Sequence, residues 1–202
     1  MPRKCIDIHQ YTTEEIANAL YLKMETEGIA KGTDKTKWRE VVTAEKIGHI
    51  VHKKISAGHG SDEYGSDALD PIITKYAEYK SKAIVDSQIR NLLEKIRSPK
   101  TGKKFAPLSV SGVYNGFNSN YETASVRYAK NDHYFSVFYK ELCVLIIKVD
   151  TDYVMETLES NYRKYVANGK KGTSNCNTVT VKLGDTEKYT VAYKNEEFYA
   201  SH

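Results

Sequence analysis

Two acidic residues and a lysine are spaced so that a short hairpin would gather them into one polar cluster. Glu78 and Lys80 are separated by a single residue, and Asp67 and Asp70 come shortly before them. Residues two apart in a β-strand point to the same face, so Glu78 and Lys80 would project together. A hairpin would bring Asp67 or Asp70 beside Glu78, according to the register of its turn. The pattern predicts a site with two carboxylates and one ammonium group.

This combination suits the hydrolysis of a phosphodiester with a divalent metal. Paired carboxylates are hard oxygen ligands of the kind that Mg²⁺ prefers, with Mn²⁺ as a substitute. The metal can polarise the phosphodiester, and a nearby lysine can orient water or neutralise charge in the transition state. Without a metal, the carboxylates would repel the phosphate. The candidate metal ligands are Asp67, Glu78 and Asp70.

The elements that must position these residues follow from periodicity and from turn-forming residues. Predicted helices cover residues 12–24, 35–55, 85–96 and 152–166. Extended runs are predicted over residues 66–70 and 76–84 as a hairpin, over 134–149 as a long strand or hairpin, and over 178–183. Residues 110–131 are polar and aromatic, with no clear period. This order predicts an α/β domain in which helices flank a central mixed β-sheet.

Length and composition narrow the class of protein. The chain has 202 residues and a formal net charge of +4, which suits one domain over residues 1–202 with a core at about 35–150. No apolar run approaches the ~20 residues of a membrane helix, so no membrane partner is expected. Three scattered cysteines favour the reducing cytoplasm. The chain has no phosphate-binding glycine loop, so ATP-driven cleavage is not expected.

The residues of the cluster also carry a resemblance to a known family. Asp67 followed by Glu78-Tyr79-Lys80 resembles the metal-binding signature of the PD-(D/E)XK nucleases. The sequence SDALD…EYKS is most similar to type II restriction endonucleases. The resemblance implies a restriction-endonuclease-like core, with the Asp on one strand and Glu-X-Lys on the next. It also implies an additional Glu from a preceding helix, for which Glu45 is the candidate.

The resemblance extends over residues 45–82 and departs from the family pattern at one position. Ser66 stands where the family signature has Pro. This leaves either Asp67 or Asp70 as the metal ligand. Asp67 is favoured because its wider spacing from Glu78 gives the hairpin room to turn.

The function implied by the resemblance is sequence-specific cleavage of double-stranded DNA with Mg²⁺, as in a type II restriction endonuclease. Asp67, Glu78 and Lys80 would be catalytic, with Glu45 in support. Such enzymes often act as homodimers on palindromic sites, so a homodimer is expected. Two alternatives stay open: a structure-selective or repair nuclease of the same superfamily, and a DNA-binding module without catalytic activity.

Polar and basic residues outside the cluster are candidates for contacts with DNA. Lysine neutralises phosphates, whereas Asn and Arg can read base edges in the major groove. The predicted recognition elements are residues 100–130 and 165–202. The individual candidates are Lys103, Lys104, Asn118, Asn120, Arg127, Lys170 and Lys171.

Two histidine motifs lack the partners that a metal or nuclease site would need. His49 and His52 are three residues apart on a predicted helix, but no third ligand follows nearby, which favours a pair on the helix surface. The run Asn131-Asp132-His133 resembles part of a His-Asn-His nuclease motif, but the remaining ligands of that motif are missing.

Overall fold

The computed structural model describes five ranges of the chain, residues 34–51, 66–97, 108–117, 119–170 and 175–202. The chain divides into two compact units, residues 1–39 and residues 40–202. Of the first unit, only residues 34–39 are described, and they form the beginning of a helix. The helix predicted over residues 12–24 lies outside the described residues. The second unit contains the candidate cluster.

The described ranges contain five α-helices and eight β-strands. The helices are α1 (Asp34–Ile47), α2 (Asp86–Arg97), α3 (Tyr121–Ala129), α4 (Thr151–Ala167) and α5 (Glu196–Ser201). The strands are β1 (Ile50–Val51), β2 (Ala68–Asp70), β3 (Lys75–Ile84), β4 (Ser109–Val113), β5 (Asp132–Tyr139), β6 (Leu142–Val149), β7 (Thr178–Lys182) and β8 (Tyr189–Lys194).

The described strands form one large sheet and one small ribbon. The large sheet has six strands in the order β1-β2-β3-β5-β6-β8. β3 and β5 run parallel, and the other neighbouring pairs are antiparallel. β4 and β7 form a separate antiparallel ribbon. The prediction of an α/β protein with a mixed central sheet flanked by helices is therefore confirmed.

Several individual elements were also predicted correctly. β2 and β3 form the expected antiparallel hairpin, with Ala68 paired to Ala77. β5 and β6 form a second hairpin over the most apolar stretch of the chain. α2, α4 and β7 lie where helical or alternating patterns predicted them.

The helix predicted over residues 35–55 is wrong at residues 48–51, and residues 52–55 of that prediction lie outside the described residues. α1 ends at Ile47, and Gly48 follows with a φ of 75°, a left-handed conformation that glycine adopts without steric cost. The N–H of His49 donates to the carbonyl of Ala44, which closes the last turn of the helix. The two apolar residues of β1, Ile50 and Val51, happen to continue the apolar spacing of the helix. A short strand that packs on one side also needs apolar residues, so the spacing did not distinguish the two elements.

The stretch without a clear period, residues 110–131, contains β4 and α3. β4 is short, and its buried positions alternate with exposed ones. α3 begins after Asn120, whose side chain accepts a hydrogen bond from the N–H of Thr123. This N-cap was a readable signal, but the aromatic residues around it obscured the helical period.

The two faces of the large sheet pack against different elements. On one face, α1 covers a cluster that includes Ala77 and Tyr79 of β3. On the other, the β4–β7 ribbon and α2 to α5 cover the larger core. We call these the α1 face and the ribbon face. Because side chains alternate along β3, Glu78 and Lys80 belong to the ribbon face. In the described part of the chain, no helix has the length and apolar character needed to cross a membrane.

Candidate active site

Asp67 lies directly before β2 and faces Glu78 across the hairpin. The pairing of Ala68 with Ala77 sets this register, and the N–H of Asp67 donates to the carbonyl of Ala77 at 2.9 Å. Asp67 Oδ2 accepts the main-chain N–H of Tyr79 at 2.7 Å. Asp67 and Glu78 are each only 7% exposed. The hairpin therefore buries two carboxylates side by side at the ribbon face.

Lys80 completes the cluster from the same strand as Glu78. Its Nζ lies 2.5 Å from Glu78 Oε1, and 14% of its side chain is exposed. The ammonium group also sits over the ring of Tyr114, 4.7 Å from the ring centre. The ribbon approaches the lysine closely at Gly112, where a Cβ atom would lie 2.3 Å from Lys80 Cγ. Glu78, Tyr114 and the backbone of β4 thus fix the lysine in place.

Burial, together with the crowding of negative charge, dominates the electrostatics of the cluster. Burial, followed by the charges of Glu78 and Glu40, raises the pKa of Asp67 well above its ordinary value. Lys80 and the N–H of Tyr79 act in the opposite direction on this pKa. For Lys80, burial acts to lower the pKa, but Glu78 and Asp67 outweigh it, so the pKa is raised and the lysine is charged. The cluster would be stabilised by additional positive charge.

Glu40 of α1 raises the pKa of Asp67 through its charge. The sequence had predicted that Glu45 would be the acidic residue of this helix that joins the site. Residues three and four apart share a helix face, and Thr43 and Ala44 are both buried. Glu40 lies on that inward side. Glu45 comes five positions later, on the other side of the helix, and is exposed. The helical period of the buried residues was the signal that could have identified Glu40.

Asp70 lies on the α1 face, away from Glu78. Its Oδ1 accepts the N–H of Ile72 at 2.8 Å, and its Oδ2 lies 3.5 Å from Nε2 of His49. These contacts cap the turn of the hairpin and fix the histidine. The structure therefore brings Asp67, and not Asp70, next to Glu78.

Three of the seven candidates for DNA contacts lie within the described residues, and four lie outside them. Asn120 caps α3, and the guanidinium of Arg127 donates to the carbonyl of Asn115 at 2.9 Å and to the hydroxyl of Tyr128. Lys170 is exposed after α4. The remaining candidates, which lie outside the described residues, are Lys103, Lys104, Asn118 and Lys171; His52, the second member of the histidine pair, lies outside them too.

A buried network behind Lys80 was not predicted from the sequence. The hydroxyl of Tyr114 lies 3.2 Å from Nδ1 of His133, whose Nε2 lies 3.0 Å from the carbonyl oxygen of Tyr128. A carbonyl only accepts, so Nε2 carries the hydrogen and Nδ1 accepts from the tyrosine. Burial, followed by the charge of Lys80, lowers the pKa of His133 to about 4. The histidine is therefore neutral and supports the ring beside Lys80.

Asp132 has a similar structural role on the opposite face. Its carboxylate is buried and lies 2.6 Å from Nζ of both Lys75 and Lys148. Through these ion pairs it connects β3, β5 and β6. Asp132 and His133 therefore hold β5 against its neighbours on the two faces of the sheet.

His133 leads to a prediction about stability and pH. Its folded pKa is lower than its unfolded value, so the unfolded chain binds the extra proton and stability falls as pH drops from about 6.5 towards 4. His133→Gln should reduce the loss of unfolding free energy between pH 7 and pH 5 by about 2 kcal/mol. Urea unfolding of both proteins at the two pH values measures this difference. An equal loss in both proteins would contradict the assignment.

Asp67 and Glu78 are the two carboxylates of the cluster, and both are buried. Among the residues that the structure describes, no group of three or more His, Cys, Asp or Glu side chains is arranged to hold one. Asp67 and Glu78 are thus the pair from which a metal centre would have to be built.

Comparison of the chain with protein-family models gives no match. Comparison with curated protein sequences gives none either. The geometry of Asp67, Glu78 and Lys80 is therefore the basis for a functional conclusion.

Proposed function

We propose that this chain is a Mg²⁺-dependent endonuclease that hydrolyses phosphodiester bonds of double-stranded DNA. The observation that carries the proposal is the meeting of Asp67, Glu78 and Lys80 at one point of the β2–β3 hairpin, with Nζ of the lysine 2.5 Å from the glutamate. Asp67 directly precedes β2, and Glu78 and Lys80 lie on the neighbouring strand β3, which supports the PD-(D/E)XK resemblance.

The residues present suit a hard divalent cation. Asp67 and Glu78 offer carboxylate oxygens, the donors that Mg²⁺ prefers. They are buried together, and the raised pKa of Asp67 reflects burial and the repulsion from Glu78. A cation held by these two groups would relieve that repulsion. When bound, Mg²⁺ supplies positive charge that polarises the phosphodiester and stabilises the leaving oxygen.

The protein's own side chains would have distinct tasks. The N–H of Tyr79 fixes the carboxylate of Asp67. Glu78 holds Lys80, and the ring of Tyr114 supports the ammonium group from the other side. The lysine would then contact the attacking water or the phosphate and neutralise charge that develops in the transition state. Such a fixed cation costs little reorganisation during the reaction.

Within this class, we propose a restriction-endonuclease-like core and cleavage at specific sequences, as in type II restriction endonucleases. The central mixed sheet with flanking helices supports this choice. α3 brings Tyr128 and Arg127 towards the cluster, since the charge of Glu78 acts on Tyr128. Arg127 and Lys170 would contact the DNA. A homodimer on a palindromic site follows from the same proposal.

A DNA-binding module without catalytic activity is the second candidate. It is favoured by the direct ion pair between Lys80 and Glu78, which partly neutralises the cluster without a metal. The described residues also lack a third ligand of the usual kind. In this case the cluster would stabilise the hairpin and would not take part in a reaction.

The experiment is digestion of unmethylated phage DNA by the purified protein with Mg²⁺ or with EDTA. Glu78→Gln, which removes one charge from the cluster, is compared with Glu156→Gln, which changes an exposed residue of α4. We expect discrete fragments with the wild type and Glu156→Gln in Mg²⁺. Glu78→Gln should lower the rate by about 1,000-fold, because the metal loses a ligand.

The cleavage pattern separates the candidate functions. Discrete bands that require both Mg²⁺ and Glu78 support a restriction enzyme. Cleavage of junction or flap substrates alone would support a structure-selective nuclease. DNA that is bound but never cut, with or without Mg²⁺, would contradict the enzymatic proposal and favour the binding module.

A further inference from the structure

Tyr79 connects the two faces of the sheet. Its main-chain N–H donates to Asp67 Oδ2 on the ribbon face at 2.7 Å. Its side chain points to the α1 face, where it is 4% exposed and packs in the cluster with Ala77. The position of Tyr79, which its side chain sets on the α1 face, therefore determines where its N–H holds the carboxylate of Asp67 on the ribbon face.

His49 holds the side chain of Tyr79. The tight turn after α1 delivers the histidine to the α1 face, where 4% of its side chain is exposed. Its Nδ1 lies 2.8 Å from the hydroxyl of Tyr79, and its Nε2 lies 3.5 Å from Oδ2 of Asp70. A carboxylate only accepts, so Nε2 carries the hydrogen and the tyrosine hydroxyl donates to Nδ1. The three residues thus form a chain with one direction of donation.

The carboxylate of Asp67 needs a firm support. It is buried next to Glu78, and these two negative groups repel each other. The hydrogen bond from the N–H of Tyr79 opposes this repulsion only while β3 keeps its position. A shift of about 1 Å at residue 79 would weaken that bond considerably.

We infer that His49 is a positioning residue for Asp67, acting through Tyr79. This role rests on the proposed function, because it concerns the carboxylate proposed to hold Mg²⁺. Changes at residues that orient metal ligands from behind typically cost about 10- to 100-fold in metal affinity or activity. His49 would therefore set the metal requirement of the enzyme without contacting the DNA, the water or the metal.

The test compares Tyr79→Phe with Tyr134→Phe. Both changes remove one hydroxyl from the same apolar cluster, and the Tyr134 ring also lies against His49, at 5.1 Å. Among the described residues, the hydroxyl of Tyr134 has no hydrogen-bond partner. His49→Asn is added because its side-chain oxygen keeps an acceptor near the position of Nδ1, whereas His49→Leu has none.

Two quantities are measured, one of them independent of activity. Tyr79→Phe and His49→Leu should make the amide of position 79 exchange its hydrogen about 10-fold faster. They should raise the Mg²⁺ concentration for half-maximal cleavage about 10-fold, with the rate at saturating Mg²⁺ within about twofold of wild type. Tyr134→Phe should change neither quantity, and His49→Asn should restore part of both.

The outcomes distinguish this inference from the function on which it rests. If the wild type cleaves DNA but the exchange or the Mg²⁺ requirement does not respond to Tyr79→Phe, the positioning role is overturned and the nuclease stands. An equal response to Tyr134→Phe would also overturn it, since it would indicate general loosening of the core. If the wild type never cleaves, the role in catalysis fails with the function, whatever the exchange rates are.

Discussion

Asp67→Asn should abolish Mg²⁺-dependent DNA cleavage and at the same time raise the free energy of unfolding. The substitution keeps the shape of the side chain, and its oxygen can still accept the N–H of Tyr79. It removes the charge that would bind the metal, so we expect a loss of about 1,000-fold in the cleavage rate. A substitution that stabilises the protein and abolishes its activity is the pattern expected for an active-site residue that is held at a cost in stability.

The gain in stability follows from the raised pKa of Asp67. A carboxyl group whose folded pKa lies above its unfolded value adds stability when protonated and loses it as pH rises through the folded pKa. At neutral pH the buried carboxylate therefore costs stability. Asparagine has no charge to bury, and we expect the free energy of unfolding at pH 7 to be higher than that of the wild type. The gain should shrink as pH falls towards 4.

Urea unfolding and single-turnover cleavage measure the two effects on the same preparations. Asp152→Asn is the matched control, since Asp152 is exposed on α4. It should change neither quantity appreciably. An Asp67→Asn protein that is less stable than the wild type at pH 7 would contradict the electrostatic description. An Asp67→Asn protein that cleaves DNA as fast as the wild type would contradict the proposed active site.

Gly112→Ala is expected to damage both folding and activity by displacing Lys80. The added Cβ would lie 2.3 Å from Cγ, 2.7 Å from Cδ and 2.9 Å from Cβ of the lysine. Either the ribbon or the lysine must move, and overpacking of this kind costs about 1–3 kcal/mol. If the lysine moves, its ion pair with Glu78 is disturbed, and we expect at least a tenfold loss of cleavage, about the effect of displacing a positioned group.

A double-mutant cycle shows whether contact with Lys80 is the cause. Gly112→Ala is made in the wild type and in Lys80→Ala, which lacks Cγ and all atoms beyond it. The loss of unfolding free energy should be smaller in the second background, because the closest contact is gone. An equal loss in both backgrounds would mean that Gly112 is required for another reason, and that the ribbon does not hold Lys80 through this contact.

The parts of the site that were predictable are those set by short-range rules. Alternation along a strand placed Glu78 and Lys80 on one face, and the spacing of the hairpin favoured Asp67 over Asp70. The structure has the hairpin and the common face, and the register pairs Ala68 with Ala77. These features need only the period of a strand and a turn.

Other parts depended on the packing of elements far apart in sequence. The choice between Glu40 and Glu45 depends on which side of α1 meets the sheet. Tyr114 and His133 meet because the ribbon folds over the parallel pair β3 and β5. Neither residue stands in a local pattern that indicates a buried hydrogen bond. The end of α1 at Gly48 was missed for a different reason, since apolar residues continue beyond the glycine.

The proposed nuclease depends above all on Asp67 and Glu78 holding a divalent metal together. Isothermal titration of Mn²⁺ into the wild type, Asp67→Asn, Glu78→Gln and Asp152→Asn tests this most directly, because it needs no DNA and no turnover. We expect saturable binding to the wild type and Asp152→Asn, and binding weakened by at least about 10-fold in the two variants of the site. No binding to the wild type, or equal binding to all four proteins, would contradict the proposed metal centre.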